Sequence, residues 1–417
     1  MKKYDKYKES WVEWIGKVPE DRNTNRLKDF INIFQKSNIP AWEWEDEGLY
    51  PFYTSSQELT KRIDISLFDG DAITMATWWL ASVNYVWEKY SSSTDCLNFT
   101  TKQNTKFISY YLFSIKDSVI NWLWFSWMWM KHLQKDELLS TSIYFPELSE
   151  QKTIADYLDE KTNNIDKRIE LLQHKSEKYK TLRKNLISHV VTHGLNPDVK
   201  MKDSWIERLW EIPENWEITR IKENYYIKWR IWWQWLKANE FIDEWPYLIT
   251  WTDFIDWKVN WETCYHISKQ RYMEAPEIHV RPWDLLITKD WTVWKLAYID
   301  KIPWETSLNS HLLLLRPIKK YIYNLFLYRL LSSKVFDSYF QIMRNGSIMD
   351  SLSQRTISAF IYALPPLNEQ KEIVNYLDDK TSKIDKILTK IDEEIEKLKE
   401  LRKVLINDAV TGKIKVI

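Results

Sequence analysis

Apolar residues recur at every seventh position along two stretches of the chain. Leu158, Ile165, Leu172, Tyr179 and Leu186 form one column, and Leu377, Ile384, Ile391, Leu398 and Leu405 form the other, each flanked by Lys and Glu. A column held over four repeats predicts a coiled-coil helix with a long seam. Each stretch runs about 42 residues, or about 60 Å at 1.5 Å per residue. Two such helices in one chain pack most simply against each other, and antiparallel pairing relates the two halves by a pseudo-twofold axis. Pro146 and Pro365-Pro366 punctuate the helix entrances.

The remaining segments are mixed. Asp71-Ala72-Ile73-Thr74-Met75 and Asp284-Leu285-Leu286-Ile287-Thr288 read as buried strands, followed by turns at Trp78-Trp79 and Asp290-Trp291. Residues 106–115 and 321–331 read as short helices, and the Trp-rich residues 121–130 as a loop. The expected fold class is α+β: two α/β-type globular domains, 1–145 and 197–364, separated by long helices at 146–196 and 365–417 that form an antiparallel coiled coil.

The chain contains itself twice. Residues 146–192 laid over 365–411, a shift of 219, give 24 identities in 47 positions without a gap. Glu150, Gln151, Lys152, Tyr157, Leu158, Asp159, Lys161, Thr162, Ile165 and Asp166 meet the same letters in the second copy. Upstream, residues 10–28 match 204–222 at a shift of 194, so the second copy is longer by 25 residues. Shared ends around a variable middle imply a common scaffold that carries an adaptable surface.

Composition changes one part of this picture. The 417 residues include 26 Trp and only 6 Gly, where ordinary usage of roughly 7% gives about 29 Gly. In the repeat alignment Gly16 faces Trp210, Gly70 faces Trp283 and Gly346 faces Trp127. No mutational logic exchanges the smallest residue for the largest at three equivalent places. A stop codon that the source reads as glycine, rendered as Trp, accounts for all three. Trp14, Trp216 and Trp261 fit their neighbours as genuine tryptophans.

At 44% hydrophobic and 28% charged, the chain is globular rather than disordered. Two cysteines, Cys96 and Cys264, lie too far apart for a zinc spacing and are too few for a disulfide framework, so a reducing cytoplasm is expected. The charged N-terminus is no signal peptide, and the most apolar run, residues 119–130, is too short to span a membrane. No catalytic constellation stands out: there is no Gly-rich phosphate loop, no Asn-Pro-Pro-aromatic motif and no His-Glu-x-x-His. Asp159-Glu160-Lys161 and Asp378-Asp379-Lys380 match a loose nuclease pattern but read as solvated helix faces. No metal site is expected.

The helix entrances Phe145-Pro146-Glu147-Leu148-Ser149-Glu150-Gln151 and Leu364-Pro365-Pro366-Leu367-Asn368-Glu369-Gln370, the Tyr-Leu-Asp-x-Lys-Thr-x-x-Ile-Asp continuations, Ile212-Pro213-Glu214 and the closing Ala409-Val410-Thr411-Gly412-Lys413 together resemble the specificity subunit of Type I restriction-modification systems. The resemblance covers essentially the whole chain. It implies a non-catalytic DNA reader for defence against foreign DNA. Residues 1–145 and 197–364 become target recognition domains, each reading one half of a split double-stranded DNA site. The paired helices become a ruler that docks two methyltransferase subunits, to which restriction subunits add. This chain then needs no cofactor, while its partners use S-adenosylmethionine, ATP and Mg.

DNA contact is faintly marked. From residue 196 to 365 there are 22 Lys or Arg against 21 Asp or Glu, and the whole chain balances 59 against 59, so no basic field advertises DNA. Candidates are Thr77, Trp78, Trp79, Lys289, Asp290, Thr292 and Lys295 after the buried strands, Ser55, Ser56, Thr250, Thr252 and Asp253 in polar stretches, and Gln341, Arg344, Asn345 and Ser347. Arg and Lys pair with guanine, and Asn or Gln with adenine. Against each stands the plainer role of capping a turn or touching phosphate only. The rival function is a duplicated coiled-coil scaffold that binds proteins, which the zero net charge favours slightly.

Overall fold

The computed structural model describes residues 2–416 except 13–14, 57–60, 78–81, 128–129, 134, 208, 230–239, 290–294 and 345–352. The side chains of 117–132 and 344 also lie outside the description. The chain is α+β. It forms two compact units, Met1–Gln173 with Ile391–Ile417, and His174–Lys390. This division cuts both long helices, Leu148–His193 and Leu367–Val410, so that each unit holds the start of one and the end of the other.

The first unit is built on an antiparallel sheet of β1 (Ile31–Ile33), β2 (Ala72–Ala76), β3 (Val83–Val86) and β4 (Cys96–Thr101), in the order β1-β4-β2-β3. The second unit repeats it with β5 (Tyr225–Lys228), β6 (Leu285–Thr288), β7 (Leu296–Tyr298) and β8 (Leu312–Pro317), in the order β5-β8-β6-β7. The strands β2 and β6 are the apolar runs read from the sequence, and every residue in them is buried. A continuous run is what a strand covered on both faces requires. Each unit adds a three-stranded sheet with one parallel pair: Tyr50–Tyr53 lies between Arg62–Ile63 and Ser91–Ser92, and Phe241–Ile249 between Tyr265–Ile267 and Thr306–Leu308. Helices follow at Thr105–Leu123 and Asn324–Leu331.

Residues 121–130 depart from the loop expected of them. The helix continues through Leu123, and Trp124–Trp127 then pairs with Met130–Leu133 as an antiparallel hairpin. The Trp and Phe of this run have high strand propensity, which a glycine reading sets aside. The turns expected at Trp78-Trp79 and Asp290-Trp291 lie outside the described residues, as does Gly346.

The last strand of each domain returns to the domain's beginning before the long helix starts. Ser142–Phe145 pairs with Asn23–Arg26, and Ile361–Leu364 with Glu217–Arg220. The entry hairpins are equivalent too. Lys8 donates its ammonium to the carbonyls of Glu20 and Arg22, each at 2.8 Å, and Lys202 donates to those of Glu214 and Trp216, each at 2.7 Å. Both long helices end in a left-handed glycine, Gly194 at φ 76° and Gly412 at φ 77°, a backbone that costs any other L-residue about 1–2 kcal/mol.

The core of each unit joins its sheet to both helices. In the first, Ile154, Ala155 and Leu158 from the start of the central helix, with Leu405, Ile406, Ala409 and Val410 from the end of the C-terminal one, pack around Phe107, Ile108 and Tyr111. In the second, Ile373, Val374 and Leu377 with Ile187, Val190 and Val191 pack around Trp216, Phe326 and Leu327. These helix positions correspond at the shift of 219, Leu405 being matched by the partly buried Leu186 against the second core. Within each unit the two helix segments run in opposite directions, and the ion pair Asp166–Arg402 of the first recurs as Asp385–Arg183 in the second.

All five seam positions of the C-terminal helix are buried, whereas on the central helix Leu158 is buried and Ile165, Leu172, Tyr179 and Leu186 are partly so. Leu377→Ala removes a fully buried side chain and is expected to cost about 2–5 kcal/mol. Leu171→Ala, on an exposed position of the central helix, is expected to stay within about 0.5 kcal/mol. Denaturant unfolding of the two variants checks the contrast.

Candidate nucleic-acid interface and its anchors

The loops at one end of each sheet hold most of the DNA candidates. In the first unit Thr77 follows β2, and both its N–H and its hydroxyl donate to the Asp95 carbonyl at 2.8 Å. Ser93 N–H donates to the Tyr53 carbonyl, so the loop Ser93–Asp95 draws Thr77 towards the segment carrying Ser55 and Ser56. Ser55 is half-buried and Ser56 exposed. Trp78 and Trp79 lie outside the described residues.

In the second unit β6 and β7 close a hairpin through Thr288 N–H donating to the Lys295 carbonyl at 3.0 Å. Lys289 and Lys295 flank its tip, while Asp290 and Thr292 lie outside the described residues. The Lys295 ammonium sits 5.5 Å from the Trp251 ring and that of Lys289 3.4 Å from the Trp229 ring. These are cation–π contacts, and the first brings the Thr250–Asp253 turn to the hairpin. Thr252 is exposed there.

Thr250 and Asp253 are engaged otherwise. Asp253 is buried; its carboxylate accepts from Thr250 N–H at 2.7 Å, from the Thr250 hydroxyl at 2.9 Å and from the Thr263 hydroxyl at 2.9 Å. Closing this short capped turn uses the groups that base reading would need. Gln341 is exposed on the helix Lys334–Arg344, which Arg344 closes; Asn345 and Ser347 lie outside the described residues. Nothing described brings that third group to the hairpin tip.

Of the two loose nuclease matches, read as solvated helix faces, Glu160, Asp379 and Lys380 are exposed, whereas Asp159 and Asp378 serve as anchors. Asp159 accepts a hydrogen bond from Tyr110 at 2.9 Å and pairs with Lys106, both from the helix Thr105–Leu123. Burial pushes Tyr110 up to about 12, and its hydroxyl also meets Thr162 at 3.1 Å. Asp378, the repeat equivalent, pairs with Arg329 of the helix Asn324–Leu331. A second pin was present in the alignment without its role being evident. Gln151 is fully buried: its amide donates to the Pro146 carbonyl and to Gln103, each at 2.8 Å, and its oxygen accepts from Asn104 N–H at 3.0 Å. Gln370 donates to the carbonyls of Pro365 at 2.8 Å and Tyr321 at 3.0 Å, and accepts from Tyr323 N–H at 2.8 Å. Each glutamine thus fastens the first turn of a long helix to the loop before a domain helix.

Asp284 is a further buried acid that the sequence marked only as a strand residue. Burial pushes its carboxyl up, and the Arg316 guanidinium opposes this through bonds of 2.8 and 2.7 Å. Both cysteines are buried and free, and burial raises both thiols. Among the described residues no cluster of His, Cys, Asp and Glu could hold a metal ion, and no helix is long and apolar enough to cross a membrane.

Two equivalent sheet units, each clasped by the start of one long helix and the end of the other, define a duplicated α+β protein. The model of the Type I restriction modification DNA specificity domain matches residues 19–178 and 272–397, once in each copy. The chain therefore belongs to the Type I restriction-modification specificity family. It is 24% identical to the Type I restriction enzyme MjaVIII specificity subunit of Methanocaldococcus jannaschii, over 98% of this chain and 96% of that protein. It is also 24% identical to the EcoBI specificity subunit of Escherichia coli, over 68% of this chain and 61% of that one. A solved chain described under complex assembly and conformational transition of the type I R-M system superposes with a TM-score of 0.68 at 15% identity, covering 95% of this chain and 99% of that one. The HsdS subunit of Thermoanaerobacter tengcongensis gives a TM-score of 0.50 at 16% identity, covering 97% and 100%. Membership over both copies sets the protein-binding scaffold aside.

Gln370→Ala leaves several buried backbone groups without partners and is expected to destabilise the protein by about 1–3 kcal/mol per orphaned group. Gln370→Glu sets a carboxylate against the Pro365 and Tyr321 carbonyls in a fully buried site, and at neutral pH should destabilise at least as much as Ala. Thermal unfolding of the three proteins checks the ranking.

Proposed function

We infer that this chain is the non-catalytic DNA specificity subunit of a Type I restriction-modification complex, reading a bipartite double-stranded site with one recognition domain per half. The observation that carries this is the duplicated unit, with family matches in both copies. Residues 1–145 and 197–364 are the recognition domains, and 146–196 and 365–417 the helices on which two methyltransferase subunits dock, with restriction subunits joining them. The chain itself uses no cofactor; S-adenosylmethionine, ATP and Mg belong to those partners, and the complex works in the cytoplasm.

Within the domains, DNA is met first by Ser55, Ser56 and Thr77 in one unit and by Lys289, Lys295 and Thr252 in the other. Trp78, Trp79, Asp290 and Thr292, next to these in sequence, are further candidates, and Gln341, Arg344, Asn345 and Ser347 are a third group. Thr250 and Asp253 shape the turn that presents Thr252. Lysines at a hairpin tip suit phosphate or guanine contact.

Co-expression of the chain with its methyltransferase, followed by methylation mapping, tests the reading. The expected product is a split motif with two different halves, because the variable middles of the two copies differ. Replacing residues 197–364 by the corresponding segment of another member should change one half and leave the other. Methylation at a continuous motif, or no sequence preference, would contradict the assignment.

A further inference from the structure

Four tryptophans occupy backbone that tryptophan avoids. Trp11, Trp205, Trp210 and Trp283 have φ values of 58°, 55°, 50° and 72°, in the left-handed region where glycine is the default residue. A bulky side chain there needs compensating contacts. None is evident: the four are 92%, 89%, 71% and 67% exposed.

The repeat supplies a control at two of these points. Trp210 stands where the first copy has Gly16, itself at φ 72°. The surrounding bond is the same in both, Ser10 N–H to the Gly16 carbonyl at 3.0 Å and Ser204 N–H to the Trp210 carbonyl at 2.7 Å. Trp11 and Trp205 are equivalents of each other at the shift of 194, and both are left-handed. Trp283 faces Gly70, where an added Cβ would lie 2.2 Å from the Trp87 carbonyl; in that copy the left-handed residue is the next one, Asp71, at φ 55°.

Moreover, all 26 Trp fall within residues 1–145 and 197–364. The long helices have none, as expected of a residue standing in for glycine, which helix interiors disfavour. Trp216 behaves differently: it is fully buried, 6.4 Å from Phe326 in an edge-on contact, and its φ is not positive.

We propose that Trp11, Trp205, Trp210 and Trp283 are glycines in the protein as its own cell makes it, a codon that is elsewhere a stop being read there as glycine, and that Trp216 is a true tryptophan. The exposed Trp side chains then offer no stacking platform for bases, and DNA reading falls to polar side chains and backbone. The proposal stands apart from the DNA-reading function.

One tryptic peptide decides it. Residues 209–220 contain Trp210 and Trp216 between cleavage sites at Arg208 and Arg220. Sequenced by mass spectrometry from protein purified out of the source cells, this peptide is expected to have lost the mass of a single Trp-to-Gly exchange, located at 210. Trp at both positions overturns the proposal, and Gly at both overturns the assignment of Trp216. As a second measurement, the full chain carrying Trp11→Gly, Trp205→Gly, Trp210→Gly and Trp283→Gly should unfold at a higher temperature than the chain with four Trp. An equal or lower midpoint counts against it.

Discussion

The structure depends on one apolar arrangement made twice. Each recognition sheet buries one side against a domain helix, and that helix is covered in turn by the first turns of one long helix and the last turns of the other. Leu158 and Leu377 are fully buried in the two cores, so folding a domain and positioning the helix pair are one event. A surface patch left by either helix would expose several Leu, Ile and Val side chains, each worth about 1.5–3 kcal/mol on burial. The clasp also explains why the compact units cut across the helices: no unit closes its core without a piece of each long helix.

Apolar packing alone would let a helix rotate or slide against its domain. Polar pins remove that freedom. Gln151 and Gln370 make three directed bonds each in a buried setting, where an unmade bond carries the full desolvation penalty. Asp159 and Asp378 fix the next turns to Tyr110, Lys106 and Arg329. The exposed pairs Asp166–Arg402 and Arg183–Asp385 add little stability individually, but they distinguish the antiparallel register from its neighbours. Hydrophobic contact provides the energy here, and hydrogen-bond geometry provides the orientation on which a reading surface relies.

The helices were legible in the sequence because periodicity and repeat speak together: the column Leu377 to Leu405 lies on one long helix and is buried throughout. The strands β2 and β6 were legible as unbroken apolar runs. The pairing of strands distant in sequence was not, since Glu217–Arg220 meets Ile361–Leu364 across more than a hundred residues, and no local pattern encodes that partner. The site was less legible still. Thr250 and Asp253 share residue types with DNA contacts, yet their atoms close a turn, and only geometry separates a cap from a contact. Asp159 showed another limit: read as part of a solvated helix face, it is a structural anchor because Tyr110, remote in sequence, folds onto it.

The absence of net charge remains the feature that a DNA reader must accommodate, and the structure gives it a physical place. Many acidic groups are committed within the helices, where Asp166, Asp385, Glu394, Asp379 and Glu396 each hold a cation. At the hairpin the Lys295 ammonium lies over the Trp251 ring and that of Lys289 over the Trp229 ring. Non-specific affinity for DNA comes almost wholly from counterion release and scales with the number of phosphates neutralised. A reader with few such contacts binds arbitrary duplex weakly by itself. In a complex, partners can add phosphate contacts of their own, so a balanced charge on this chain is compatible with its membership of a DNA specificity family.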